Sequence, residues 1–153
     1  MPNQIDSLAK WGGLSKLENL SPLALKELRD LAFRERDGFL RQNAAAKAQR
    51  KLSDEIAMIK HKMAPWEEEM RLLQLKVEPN EETVAKVHAV LEPMRRKLSG
   101  LLMQRDVVVA NKEVARLEVA PDRALLARLL EFMKVRRADD LFPDLPHDSN
   151  QEL

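Results

Sequence analysis

The chain has no cysteine and no tyrosine, and its 153 residues include only 2 tryptophans and 4 phenylalanines. Without cysteine the protein has no disulfide framework, no thiolate metal site and no thiol nucleophile. Long hydrophobic runs are also missing, because no window of the sequence approaches the ~20 apolar residues that span a bilayer. We therefore expect a cytoplasmic protein that does not enter a membrane.

Residue groupings typical of catalysis are missing as well. The three histidines, His61, His88 and His147, never fall into a Glu-x-x-His or His-x-x-x-His spacing. There is no phosphate-binding loop and no nucleophile paired with a base. The run Glu67-Glu68-Glu69 cannot form a paired acid and base, because consecutive residues point about 100° apart around a helix. We expect no enzyme activity, no cofactor, no metal and no small-molecule ligand.

What the sequence does contain is helix-forming residues. Ala, Glu, Lys, Leu and Arg fill 83 of the 153 positions, a share typical of coiled coils and long helices. Leu, Val, Ile and Phe fill 42 positions, which is enough apolar surface for a folded core. The chain is therefore predicted to be all-α.

A first long helix is predicted over residues 22–78. Ser21 is a good N-cap, and Pro22 suits the first helical position. Further on, apolar residues recur strictly every three or four positions and continue through Pro65, which favours a kinked but continuous helix over a new helix starting there. This apolar seam consists of Leu52, Ile56, Ile59, Met63, Trp66, Met70, Leu73 and Val77.

A turn is predicted at Glu78-Pro79-Asn80, with Asn80 as the N-cap of a second helix over residues 80–118. The second helix has its own seam of Val84, Val87, Leu91, Met94, Leu98 and Leu101. Beyond Gly100 the spacing slips, which predicts a local unwinding. After that slip the seam is predicted to pass to Met103, Val107, Ala110, Val114 and Leu117.

The two arms are predicted to pair as an elongated antiparallel helical hairpin, in which the numbers of facing residues sum to about 158. Pro121 is predicted to open a C-terminal helix over residues 121–137 that packs at the base with short N-terminal helices. The hairpin and this helix form one predicted domain, 1–137, followed by a disordered acidic tail over 138–153. The alternative is a compact bundle of four or five helices broken at the prolines.

Charge is distributed unevenly along the chain. The net charge is +4 over residues 41–62, −4 over 63–92, +6 over 93–137 and −5 over 138–153. A basic hairpin shaft could contact nucleic-acid phosphates without sequence preference. We favour solvated surface charges instead, because a coiled coil needs charges outside its seam and no nucleic-acid motif is present. The candidate phosphate-contacting residues are Arg41, Lys47, Arg50, Lys51, Arg95, Arg96 and Lys97.

One apolar segment, Asp140-Leu141-Phe142, stands out from the acidic tail as a site that a protein partner could grip. These three residues resemble the end of the bacterial sliding-clamp-binding pentapeptide, although the glutamine that usually opens that motif is Ala138 here. The alternative is that the Leu-Phe pair docks on the protein's own helices.

These features together predict a non-catalytic coiled-coil interaction protein that acts as an adaptor or assembly factor in a complex. Its predicted partners are other proteins or further copies of the same chain. A nucleic-acid-binding accessory factor that uses the basic shaft is the second hypothesis.

Overall fold

The computed structural model describes residues 21–148, which form three helices and contain no strand. Helix α1 spans Pro22–Gln74, α2 spans Glu81–Phe132, and α3 is the short Ala138–Leu141. The two long helices pack against each other, so the predicted all-α helical hairpin is confirmed. The predicted N-terminal helices fall in residues 1–20, outside the described residues.

Both long helices begin where the sequence predicts. Ser21 caps α1, because its Oγ accepts a hydrogen bond from the backbone N–H of Ala24 at 3.1 Å. Asn80 caps α2, because its Oδ1 accepts hydrogen bonds from the N–H groups of Glu82 and Thr83 at 3.1 and 3.3 Å. These caps satisfy backbone donors that a helix leaves without a partner in its first turn.

Prolines do not break the long helices. Helix α1 is continuous through Pro65, as predicted, and α2 is continuous through both Pro93 and Pro121. The separate helix predicted over 121–137 is therefore wrong in its start, although its packing against the first turns of α1 is observed. Leu126, just beyond Pro121, is buried in that packing, which offsets the backbone hydrogen bond that proline removes.

The chain divides into two compact units. The base unit contains the residues up to Ala44 and those from Lys112 onward, and the turn unit is Ala45–Asn111. Buried residues of the base unit are Ala24, Leu28, Leu31, Ala32, Leu126, Leu129, Met133, Ala138, Phe142 and Leu145. Those of the turn unit are Ile56, Ile59, Met63, Met70, Leu73, Val87, Leu91 and Leu101.

Ion pairs across the base unit show the register of the two helices. Arg34 lies 3.4 Å from the carboxylate of Asp122, and Arg123 lies 3.2 Å from that of Glu35. The paired residue numbers sum to 156 and 158, so the sum of about 158 predicted for the arms 22–78 and 80–118 also holds here, in a part of α2 that the sequence analysis assigned to a separate helix.

The predicted slip of the α2 seam beyond Gly100 is wrong. Positions that continue the regular spacing past Leu101 are buried or half buried, and they are Arg105, Val108, Lys112, Ala115 and Val119. The large apolar residues predicted for the seam are 52 to 68% exposed, and they are Met103, Val107, Val114 and Leu117. The cause is that α2 is one continuous helix, whose phase is fixed by the apolar residues buried before and after this stretch.

Candidate interaction surfaces

Residues 138–148, here called the C-terminal segment, pack on the base unit, so the disordered tail predicted from 138 onward is wrong over this range. Phe142 and Leu145 are buried with Ala138, and Leu141 is half buried. Burying a large apolar side chain is worth about 1.5–3 kcal/mol, so Phe142 and Leu145 offset only part of the roughly 1–2 kcal/mol per residue of backbone entropy lost on ordering this segment, and polar contacts with α1 contribute as well. The acidic composition indicates disorder, and the sequence alone does not show that the protein's own helices form a groove for these apolar side chains.

Arginines of α1 hold the C-terminal segment by its acidic residues. Arg36 forms an ion pair with Asp139, in which both side chains are largely buried, and donates to the carbonyl of Pro146 at 2.9 Å. Arg29 pairs with Asp144, and both of these side chains are about half exposed. The hydrogen bond from Arg29 lowers the pKa of the Asp144 carboxyl below its usual value.

The predicted protein-binding residues lie within this docked segment. Asp140 is exposed, Leu141 is half buried and Phe142 is buried in the base cluster. The guanidinium of Arg29 also lies 5.8 Å from the centre of the Phe142 ring. In this arrangement a partner has access to Asp140 but not to Phe142. The structure therefore matches the alternative interpretation of the sequence, in which the Leu-Phe pair docks on the protein's own helices.

A recess of about 310 Å³ opens in the base unit beside the C-terminal segment. Three arginines line it, but each has a carboxylate partner: Arg36 and Arg137 both pair with Asp139, and Arg123 pairs with Glu35. Asp148 also lines the recess, so its three arginines are matched by three carboxylates. Among residues 21–148, no group of three or more histidine or acidic side chains is placed to hold a metal ion.

Six of the seven candidate phosphate-contacting residues lie in the turn unit, and Arg41 lies in the base unit. Arg41 belongs to the base unit and pairs with Asp37 at 3.2 Å, and Arg96 pairs with Glu92 at 3.2 Å. The other five, which lie in the turn unit, are Lys47, Arg50, Lys51, Arg95 and Lys97. Because two of the seven already have carboxylate partners, the basic surface is weaker than the sequence indicates.

Sequence reasoning missed an apolar surface at the turn between the helices, here called the apex: Leu72, Leu75 and Val77. Their exposed fractions are 50, 70 and 100%. Val77 was expected to close the α1 seam, but α1 ends at Gln74 and leaves Val77 in the turn. The available signal was that Leu72 and Leu75 both fall outside the regular seam spacing.

The apolar residues that the sequence predicts for the α2 seam beyond Gly100 are exposed in each unit. They are Met103, Val107 and Ala110 in the turn unit, and Val114 and Leu117 in the base unit.

Comparison with known proteins identifies no relative, since no family model, curated protein or solved structure matches the chain. Among the described residues, no helix is long and apolar enough to cross a membrane. The function must therefore be argued from the surfaces themselves.

Proposed function

We propose that the protein is a non-catalytic adaptor or assembly factor that binds other proteins of a cytoplasmic complex through apolar side chains on its helical hairpin. The apex carries this proposal. Three large aliphatic side chains within six residues are held outside the core of the turn unit, and such a cluster is unlike the single apolar residues scattered over ordinary surfaces.

The apex does not need apolar residues in order to form. The N–H of Leu75 donates to the carbonyl of Leu72 at 3.2 Å, and that of Lys76 donates to the carbonyl three residues before it. Asn80 then caps α2. Because this backbone pattern is satisfied locally, polar residues of the kind usual in turns would serve equally well at positions 75 and 77.

Burial of the apex by a partner offers a modest gain in free energy. Because the exposed fractions of Leu72, Leu75 and Val77 sum to about two full side chains, complete burial by a partner contributes roughly 3–7 kcal/mol. Association itself costs about 4–15 kcal/mol in lost freedom. The apex therefore suits a transient contact or one part of a larger interface, as expected of an adaptor.

Site-specific photo-crosslinking tests the proposal. A photoreactive amino acid at Val77 is expected to give discrete protein adducts in the producing cell. The matched control position is Ser99, which is exposed on α2 in the same unit. An absence of adducts from Val77, or the same adducts from both positions, would contradict the proposal.

A nucleic-acid-binding accessory factor is the second candidate. The consecutive basic residues Arg95, Arg96 and Lys97 are all exposed in the turn unit, which favours contact with phosphates. We rank this function below the first because Arg96 is paired with Glu92 and because the turn unit contains a single aromatic residue, Trp66, which is only 36% exposed and offers little surface on which bases could stack.

A further inference from the structure

The junction between α2 and α3, in the base unit, bends without the residues that usually make such a bend. Lys134 has a φ of 58°, the left-handed conformation in which the end of a helix usually places glycine. Arg137 stands at the N-cap of α3 with no side-chain cap hydrogen bond, where serine, threonine, aspartate or asparagine is usual. Residues 133–142 contain neither glycine nor proline. The local sequence therefore favours a helix that continues from α2 into α3.

Docking of the C-terminal segment imposes the bend instead. The N–H of Val135 donates to the carbonyl five residues before it at 2.9 Å, and that of Lys134 donates to the carbonyl three residues before it at 3.1 Å. These two bonds form a Schellman turn, which directs the chain back so that Phe142 and Leu145 enter the apolar cluster of the base unit. Because lysine is strained in the left-handed conformation, docking holds the junction in a shape that its sequence disfavours.

A straight junction would relieve this strain but would separate the segment from its own groove. The side chains at 134–137 are all acceptable inside a helix, and α3 is already helical as far as Leu141. With a rise of about 1.5 Å per residue, Phe142 would then lie about 20 Å along the axis from Leu129, with which it now shares the apolar cluster. The straightened chain therefore leaves its groove open.

The open groove specifies what can fill it. Apolar residues of α1 and α2 line it, and two arginines of α1 flank it. Arg36 pairs with Asp139 of the segment, and Arg29 pairs with Asp144. A new occupant must therefore supply two apolar anchors together with carboxylates at these two positions. The C-terminal segment of a second copy meets every one of these requirements, because its sequence is the same.

We infer that the chain dimerises by exchanging C-terminal segments: α2 and α3 of each copy join into one helix, and Phe142 and Leu145 of each copy dock in the groove of the other. Such an exchange is reciprocal and closes as a twofold pair without requiring a new interface. It goes beyond the proposed function, because it concerns contact between copies at the base unit, whereas the apex is proposed to bind other proteins.

Substitutions at Lys134 test the inference on the full chain. Lys134→Gly relieves the strain of the bent junction and disfavours the straight helix, so it favours the monomer. Lys134→Ala is the matched control, because alanine, like lysine, is strained in the bend and accepted in a helix.

Sedimentation equilibrium measures the association of these variants. A segment on a short tether has an effective concentration on the order of 1 mM, so the series should extend from about 10 µM to about 1 mM. The wild-type chain and Lys134→Ala are expected to dimerise with dissociation constants within about threefold of each other, and Lys134→Gly at least about tenfold more weakly.

A mixture of two kinds of chain locates the contact. One chain carries a nitroxide spin label on Asp140→Cys, an exposed position in a chain without other cysteines. The other chain is unlabelled and isotopically enriched. In nuclear magnetic resonance spectra, amide signals of the enriched chain around Arg29, beside which Phe142 docks, are expected to broaden. The broadening is expected to weaken when both chains also carry Lys134→Gly.

Three results would overturn the inference. The first is a wild-type chain that stays monomeric up to about 1 mM. The second is association of Lys134→Gly as tight as that of Lys134→Ala. The third is a dimer in which the spin label broadens signals elsewhere but not around Arg29, because the copies would then meet through another surface.

Discussion

A close approach of α1 to α2 in the base unit leaves no room for a side chain at Gly38. A Cβ atom at this position would lie 2.7 Å from Cγ2 and 2.9 Å from Cβ of Val119. Contacts this short require a rearrangement, and valine is stiff at χ1, so its side chain cannot swing aside cheaply. Gly38→Ala therefore forces the two helix backbones apart.

The other described glycine provides a matched control. Gly100 is also helical, but a Cβ built on it meets nothing within 4 Å. Gly100→Ala is expected to raise the free energy of unfolding by about 0.5–1 kcal/mol, because alanine loses less backbone entropy in a helix. Gly38→Ala gains the same stability from alanine's helix propensity but loses about 1–3 kcal/mol to overpacking. The net effect of Gly38→Ala is therefore expected to be a lower free energy of unfolding.

Urea unfolding followed by circular dichroism at 222 nm measures both variants. The double variant Gly38→Ala with Val119→Ala removes the Cγ2 methyl at 2.7 Å but keeps the Cβ atom of residue 119 at 2.9 Å, so it relieves the clash only in part. A double-mutant cycle is therefore expected to show a favourable coupling of about 0.5 kcal/mol or more, which is smaller than the full cost of overpacking. If Gly38→Ala stabilises the protein as much as Gly100→Ala does, the close approach at Gly38 and the reasoning built on it are refuted.

Three further predictions concern the base unit and the basic surface. Phe142→Ala should lower the free energy of unfolding by at least about 2 kcal/mol, and Phe132→Ala should cost much less, since their exposed fractions are 6 and 45%; equal costs in urea melts would mean that the C-terminal segment does not dock. Asp144→Asn should destabilise the protein at pH 7. The hydrogen bond from Arg29 lowers the pKa of Asp144, so the ionised carboxylate adds stability above its unfolded-state pKa of about 4, and this stability is lost as the pH falls through the folded-state pKa. A destabilisation by Asp144→Asn that is as large at pH 2 as at pH 7 would contradict this linkage. Replacing the basic run 95–97 with glutamate should leave the melting temperature unchanged. In fluorescence anisotropy at physiological salt, the wild-type chain should show no submicromolar binding to a defined nucleic-acid duplex. Submicromolar binding that this replacement abolishes would favour the nucleic-acid function.

The sequence predicts the hairpin because its strongest signals are local. Ser21 with Pro22, and Asn80 after Pro79, are capping signals that depend on neighbouring residues alone, and both hold in the structure. The strict spacing from Leu52 onward likewise identifies most of the core of the turn unit. The caps and the apolar spacing can be predicted from sequence because each depends only on residues within one helix or one turn.

The errors arise where distant residues decide the outcome. Beyond Gly100 the apolar residues change sides of α2, and the sequence prediction followed the apolar residues. The helix instead keeps the phase set by Leu101 and by Leu126, with charged and small residues in between. The C-terminal segment was misassigned for a similar reason, because its anchor Phe142 finds its groove more than 100 residues away along the chain, among residues such as Leu28.

One stretch of the base unit shows how such distant contacts set local stability. Beyond the apolar cluster, α1 and α2 meet there through three ion pairs that reach the surface and through the close contact at Gly38. Ion pairs of this kind contribute little to stability. Gln42 Oε1 is buried with no hydrogen-bond partner among the described residues, and an unsatisfied buried acceptor costs about 1–3 kcal/mol. The amides of this stretch are therefore expected to exchange with solvent faster than those around Leu129, which is buried in the apolar cluster, and equal protection of both regions in hydrogen exchange would contradict this reasoning.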